Sequence, residues 1–193
     1  MSLEEIRSMR LQKIELLRGA GMDPYPARTE RTHSVKDARD NFSALAESGK
    51  PFGVAGRIRA IRSHGGSTFL DVEDGTGRVQ GYVKEDAIGK DAYDFFLSIV
   101  DVGDIIELAG TAFLTKKKEE TILTSTWRML AKSVLSLPDK WHGLLDAEER
   151  YRKRYLDVMF HPEVRERIEK RARFWRSMRT FLEERGFLEV ETP

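Results

Sequence analysis

With 193 residues, the chain has room for one domain of ordinary size plus an appendage, or for two small domains. Charged residues make up 34% of it, yet 33 Lys and Arg offset 32 Asp and Glu, so the net charge of +1 does not announce a nucleic-acid binder and any basic surface must be local. No cysteine is present, which excludes disulfides and thiolate metal sites, and His33, His64, His142 and His161 are too scattered for local metal-ligand spacing.

The start, Met-Ser-Leu-Glu-Glu-Ile-Arg, is acidic where a signal peptide is basic, and no apolar run approaches the roughly 20 residues of a membrane span. A soluble cytoplasmic protein is expected. Residues 2–18 place Leu3, Ile6, Met9, Leu16 and Leu17 near helical spacing, with Ser2 as N-cap and Gly19 or Gly21 as the stop. The polar face carries Arg7, Arg10, Lys13 and Arg18, which suits either a solvated helix face or contacts to a phosphate backbone. Pro24 and Pro26 mark an extended connector, and Ser34 then caps a helix through Phe42, Leu45 and Ala46 that stops at Gly49-Lys50-Pro51. Residues 1–51 thus read as a helical arm.

From Phe52 the pattern changes to alternation. A long strand runs to about Ser63, then Thr68–Glu73 and Arg78–Lys84 follow, separated by turns at His64-Gly65-Gly66 and Asp74-Gly-Thr-Gly77. A helical patch over Asp91–Ile99 precedes two more strands, Asp104–Leu114 and Glu119–Trp127, joined by Thr115-Lys-Lys-Lys118. Three strands, a helix and two strands is the order of a five-stranded OB-fold barrel, assigned here to 52–137. The fold class is mainly β with flanking helices.

Residues 138–161 form a charged connector in which Arg150-Tyr-Arg-Lys-Arg-Tyr155 interleaves aromatic and basic residues, fit for RNA or for a short helix packed between domains. Pro162–Arg185 reads as a helix, with Pro162 in its first turn, Glu163 and Glu166 at its positive end and Gly186 after its last turn. Its apolar residues, among them Trp175 and Met178, cover more than one stripe, so either a domain core or a subunit interface is expected on its second side. Gly186-Phe-Leu-Glu-Val-Glu-Thr-Pro193 then begins a strand, and the chain reads as cut off inside a larger domain.

Alternation puts Phe69 and Asp71 on one face of the second strand and Arg78, Gln80 and Tyr82 on one face of the third, away from Leu70, Val72, Val79 and Val83. An outward aromatic beside an amide suits an unpaired base: the ring stacks and the amide reads a base edge. A ring covered by a loop and an ordinary surface amide are the plain alternatives. Strict alternation would turn Arg62 inward, so an outward Arg62 requires a bulge or a sharp curl, after which it serves either RNA or an ion pair with Asp71 or Glu73. Glu119 and Glu120 open the last strand, where a carboxylate suits a base edge rather than a phosphate. No Walker motif, dinucleotide fingerprint, Ser-His-Asp logic or catalytic carboxylate pair is found.

The strings Val54-Ala-Gly-Arg57, Asp74-Gly-Thr-Gly-Arg-Val-Gln80, Gly103-Asp-Ile-Ile106, Leu137-Pro-Asp-Lys-Trp-His-Gly143, Arg150-Tyr-Arg-Lys-Arg-Tyr-Leu-Asp157 and Gly186–Pro193 carry a resemblance to the N-terminal part of class II lysyl-tRNA synthetases, over essentially the whole chain. The first three strings are shared with aspartyl- and asparaginyl-tRNA synthetases; the linker and the Arg-Tyr-Arg-Lys-Arg-Tyr-Leu-Asp segment favour the lysine enzyme.

The resemblance implies that the barrel binds the anticodon loop of tRNA(Lys), with Phe69 stacking on a base, Gln80 and Arg62 contacting the central uridine and Glu119 contacting a neighbouring base. The family usually has Gly-Glu where Lys118-Glu119-Glu120 stands, which leaves the reading glutamate open. The charge on the first helix's polar face makes Arg7, Arg10 and Lys13 the candidates for weak tRNA-backbone contacts. Residues 162–193 become the start of the catalytic domain, with Trp175, Met178 and Pro193 at the interface of a homodimer. ATP and Mg2+ are implied for the intact lysine–tRNA ligase, whose second and third signature sequences do not occur here. The chain alone is thus expected to bind no cofactor and to be inactive. A stand-alone OB-fold RNA-binding or interaction protein derived from a synthetase, and an asparaginyl or aspartyl relative, are the alternatives.

Overall fold

The computed structural model describes residues 2–138 and 146–192. The chain forms two compact units, Met1–Leu137 and Pro138–Pro193.

In the first unit, α1 (Leu3–Gly19) opens with a capping box: the Ser2 hydroxyl accepts from the Glu5 N–H while the Glu5 carboxylate accepts from the Ser2 N–H. Ser34 and Asp37 repeat the device at α2 (Val35–Asp40). The helix expected from Ser34 to Gly49 is two helices, because Asn41 (φ −106°, ψ 15°) leaves helical geometry and its side-chain amide donates to the Asp37 carbonyl; α3 (Phe42–Ser48) then starts afresh.

Strands β1 (Phe52–His64), β2 (Ser67–Glu73) and β3 (Arg78–Lys84) are followed by α4 (Glu85–Ile88) and α5 (Lys90–Ile99), then by β4 (Ile105–Leu114) and β5 (Glu120–Ala131). The strands close in the order β1-β2-β3-β5-β4, with β3 and β5 parallel. This is the OB-fold arrangement. Alternate residues of β2 and β3 point inward, and Leu70, Val72, Val79 and Val83 are buried there, while Tyr93, Phe96 and Ile99 of α5 pack into the same core. β5 continues past the expected end at Trp127, since Arg128, Met129 and Ala131 still pair with β4.

Two irregularities position the outer face. The β1–β2 register slips between Ile58 and Ala60, so Arg59 is the extra residue and every later side chain of β1 changes face. Asp74 ties the β2–β3 turn to α2 by accepting from the N–H groups of Val35, Thr76 and Gly77. Burial by itself raises the Asp74 carboxyl, but these hydrogen bonds and the Thr76 hydroxyl outweigh it and hold the group below the usual carboxylate range.

The second unit contains α6 (Ala147–Arg152), α7 (Arg154–Phe160) and α8 (Pro162–Glu183). Asp157 is fully buried and collects Arg150, Arg154 and His161 around its carboxylate, which is where part of the basic run of the connector goes. Gly186 (φ 81°) ends α8 with hydrogen bonds from Gly186 N to Glu183 O and from Phe187 N to Leu182 O. The expected strand after it is not formed. Residues 187–192 are irregular and fold back on α8, where Glu189 accepts from Arg179; a strand needs a partner edge, and the described residues of this unit contain no other strand. Among the described residues no helix is long and apolar enough to cross a membrane.

Candidate nucleic-acid interface

Strand register assembles two rows of side chains on the outer face of the barrel. Arg62 of β1 lies opposite Phe69 of β2, which lies opposite Tyr82 of β3. One step along, Asp71 faces Gln80, Gln80 faces Thr121 of β5, and Thr121 faces Phe113 of β4. The result is an open groove of about 840 Å³, within the range of ordinary ligand sites, lined by Arg62, Phe69, Gln80, Tyr82, Phe113 and Glu119.

The floor is aromatic. Phe69 stacks on Tyr82 with ring centroids 4.4 Å apart at 22°, and Tyr82 leans on Phe113 at 5.9 Å and 46°. Phe69 is therefore backed by a second ring rather than covered by a loop, and it stays partly exposed. The polar end is a chain of hydrogen bonds: Thr121 Oγ1 donates to Gln80 Oε1 at 2.9 Å, and Gln80 Nε2 donates to Glu119 Oε2 at 3.2 Å. Glu120 faces elsewhere, 3.5 Å from Arg39 of α2, so Glu119 is the glutamate that lines the groove.

Arg62 reaches this face because of the bulge at Arg59, and the ion-pair alternative holds: both terminal nitrogens donate to Asp71, at 2.7 and 3.1 Å. That hydrogen bonding raises the guanidinium pKa further. Glu73 takes Arg59 and Arg78 instead. The Arg62 side chain is half exposed. Lys116, Lys117 and Lys118 at the tip of the β4–β5 hairpin are exposed, and the first two border the groove, so basic charge is local here.

An aromatic floor, a fixed amide and carboxylate, and a cationic rim are what a base with its phosphate requires. Residues 53–134 match the family model of an OB-fold nucleic acid binding domain, and residues 146–193 match that of the class II tRNA synthetases (D, K and N). The lysine–tRNA ligase of Carboxydothermus hydrogenoformans is 46% identical over 99% of this chain and 38% of the relative. That of Roseiflexus castenholzii is 45% identical over 100% of this chain and 40% of the relative, and that of Pelotomaculum thermopropionicum 43% identical over 99% and 37%. The chain belongs to the lysyl-tRNA synthetase family. It spans about two fifths of the length of these relatives.

The other candidate residues do not line the groove. Arg7 is exposed on α1, but Arg10 is buried and donates to the carbonyls of Val102, Ser133 and Leu135, while Lys13 donates to Asp101 at 2.8 Å. Those two cations fasten α1 to the barrel and are not presented to a phosphate. Trp175 and Met178 are exposed on α8, where Val164 is the buried residue among those described. Pro193 lies outside the described residues, as does the Trp141-His-Gly143 part of the connector.

Tyr82 and Phe113 complete the groove, and the buried Thr121 backs Gln80, without having been singled out from sequence. Tyr82 was visible as an i+2 neighbour of Gln80; Phe113 and Thr121 depend on barrel closure, which no local pattern encodes.

Lys118 holds φ 61°, in the left-handed region, at the tip of the β4–β5 hairpin. Lys118 N donates to Thr115 O and Thr115 N to Glu119 O, so the turn demands that conformation. Lys118→Gly is expected to stabilise the barrel by about 1 kcal/mol, because a side chain there crowds the following carbonyl. Urea unfolding checks this, and a less stable variant would contradict it.

Proposed function

We propose that the barrel reads the anticodon of a lysine-accepting tRNA. The observation that carries this reading is the joining, in one groove, of the partly exposed Phe69 ring to the hydrogen-bonded pair Gln80 and Glu119. Phe69 stacks the central base, Gln80 and Arg62 contact its edge, and Glu119 meets a neighbouring base. Lys116 and Lys117 draw in the backbone, so binding weakens with salt.

For the whole protein we propose activation of lysine with ATP and magnesium, transfer to the 3′ end of the tRNA, and a cytoplasmic homodimer in which Trp175 and Met178 are covered. Among the described residues no three His, Asp or Glu side chains group to hold a metal ion. No step of that chemistry is assigned to the residues described.

Phe69→Ala and Gln80→Ala are each expected to weaken binding to a lysine-type anticodon stem-loop by about 1–3 kcal/mol at fixed salt. A central uridine changed to cytidine should weaken it as well. Unchanged affinity in both variants would overturn the site.

A further inference from the structure

We infer that Thr121 is a positioning residue that, together with Glu119, holds the Gln80 amide one way round, and so sets the preference for uridine over cytidine; this rests on the anticodon reading above. An amide has one accepting and one donating end, and a base edge is matched only if the two ends lie in the right order. Uridine offers an N–H donor beside a carbonyl acceptor, whereas cytidine offers a ring-nitrogen acceptor beside an amino donor. A glutamine free to turn over matches either one.

Here it is not free. Glu119, a carboxylate that only accepts, demands the nitrogen end of Gln80. The oxygen end is held by the Thr121 hydroxyl, on a side chain that is fully buried beside Gln80 in the β3–β5 register. That hydroxyl also lies 3.1 Å from the Glu119 carbonyl, which already accepts from Thr115 N, but Gln80 Oε1 is the nearer acceptor at 2.9 Å. No other donor to Gln80 Oε1 is found among the described residues, so the single hydrogen of Thr121 goes there. With both ends held, one N–H and one lone pair of Gln80 remain to face the groove, in one order.

The roles separate in what each substitution changes. Phe69 supplies stacking and hence affinity for any base. Thr121 touches no RNA, and through Gln80 it governs the ratio of affinities for two bases.

The test is binding of the 193-residue chain to a lysine-type anticodon stem-loop and to the same loop with the central uridine changed to cytidine. Thr121→Val, nearly isosteric but without a hydroxyl, is expected to cut the uridine preference by about tenfold, with the affinity for the cytidine loop kept or raised. Thr121→Ser should keep the wild-type ratio, and Thr121→Val added to Gln80→Ala should change nothing more. Thr121→Ala removes the same hydroxyl and gives the readout should the valine not fold. A wild-type ratio in Thr121→Val or Thr121→Ala, or a lost ratio in Thr121→Ser, overturns the positioning role while leaving anticodon reading intact. No uridine preference in the wild-type chain overturns that reading, and this inference with it.

Discussion

Replacing Lys132 by alanine is expected to cost the first unit about 3–5 kcal/mol, the range found when one partner of a buried ion pair is removed. The Lys132 ammonium is fully buried and donates to both Asp101 and Asp104, and the Asp104 carboxylate is itself fully buried at 2.7 Å. Ser133 N and Asp101 N also donate to Asp104, while Lys13 and Arg10 approach Asp101 from α1. Without Lys132, Asp104 is a buried carboxylate that has lost its ion-pair partner. The variant also loosens α1, because the same cluster docks it.

The pH dependence gives this prediction a sign. Burial pushes Asp104 above its ordinary value even with Lys132 beside it; burial also acts on Asp101, but hydrogen bonds from Lys13 and Lys132 outweigh it and hold that group low. Removing the cation raises Asp104 further. A carboxyl whose folded pKa lies above its unfolded one destabilises the fold once it ionises, so the loss in Lys132→Ala should shrink as pH falls through the raised value toward the unfolded one. Urea unfolding at neutral and mildly acidic pH checks both parts. A loss under about 1 kcal/mol at neutral pH would contradict the buried-pair account.

Gly110→Ala is expected to destabilise the barrel by about 3 kcal/mol or more, and Gly81→Ala by about 1–2 kcal/mol. A Cβ at Gly110 would sit 1.9 Å from Leu123 O and 2.9 Å from Thr124 Cα, all backbone, at the slip in the β4–β5 register. At Gly81 the nearest atom, 2.5 Å away, is Leu108 Cδ1, the end of a side chain that can turn aside. The contrast therefore measures whether the obstacle is backbone or rotamer. Since β4 and β5 carry Phe113 and Thr121, Gly110→Ala should also lower stem-loop affinity in the part that still folds. Equal losses in the two alanine variants would show that the β4–β5 ladder yields as readily as a leucine.

Much of the fold was legible because its signals are local. Alternation marks β2 and β3 with their inward and outward faces, Ser2 and Ser34 announce helix starts, and Gly186 ends α8 where its place after the last turn predicts. The errors fall where a side-chain bond to the backbone or a distant partner decides. Asn41 breaks a helix that spacing carried through, β5 outruns Trp127 because β4 is there to pair with it, and the tail after Gly186 forms no strand because no edge meets it.

The site divides along the same line. The outward placing of Phe69 and Gln80, a glutamate at the start of the last strand and a lysine-rich hairpin follow from sequence alone, since alternation and charge say which side chains face out. The sequence could state that Arg62 needed a bulge, and only the β1–β2 ladder put one at Arg59. The fate of Arg10 and Lys13, the choice of Glu119 over Glu120, and the hold of Thr121 on Gln80 all came from tertiary structure. Each depends on contacts between segments far apart in the chain, and periodicity carries no information about which strand a residue will meet once the barrel closes.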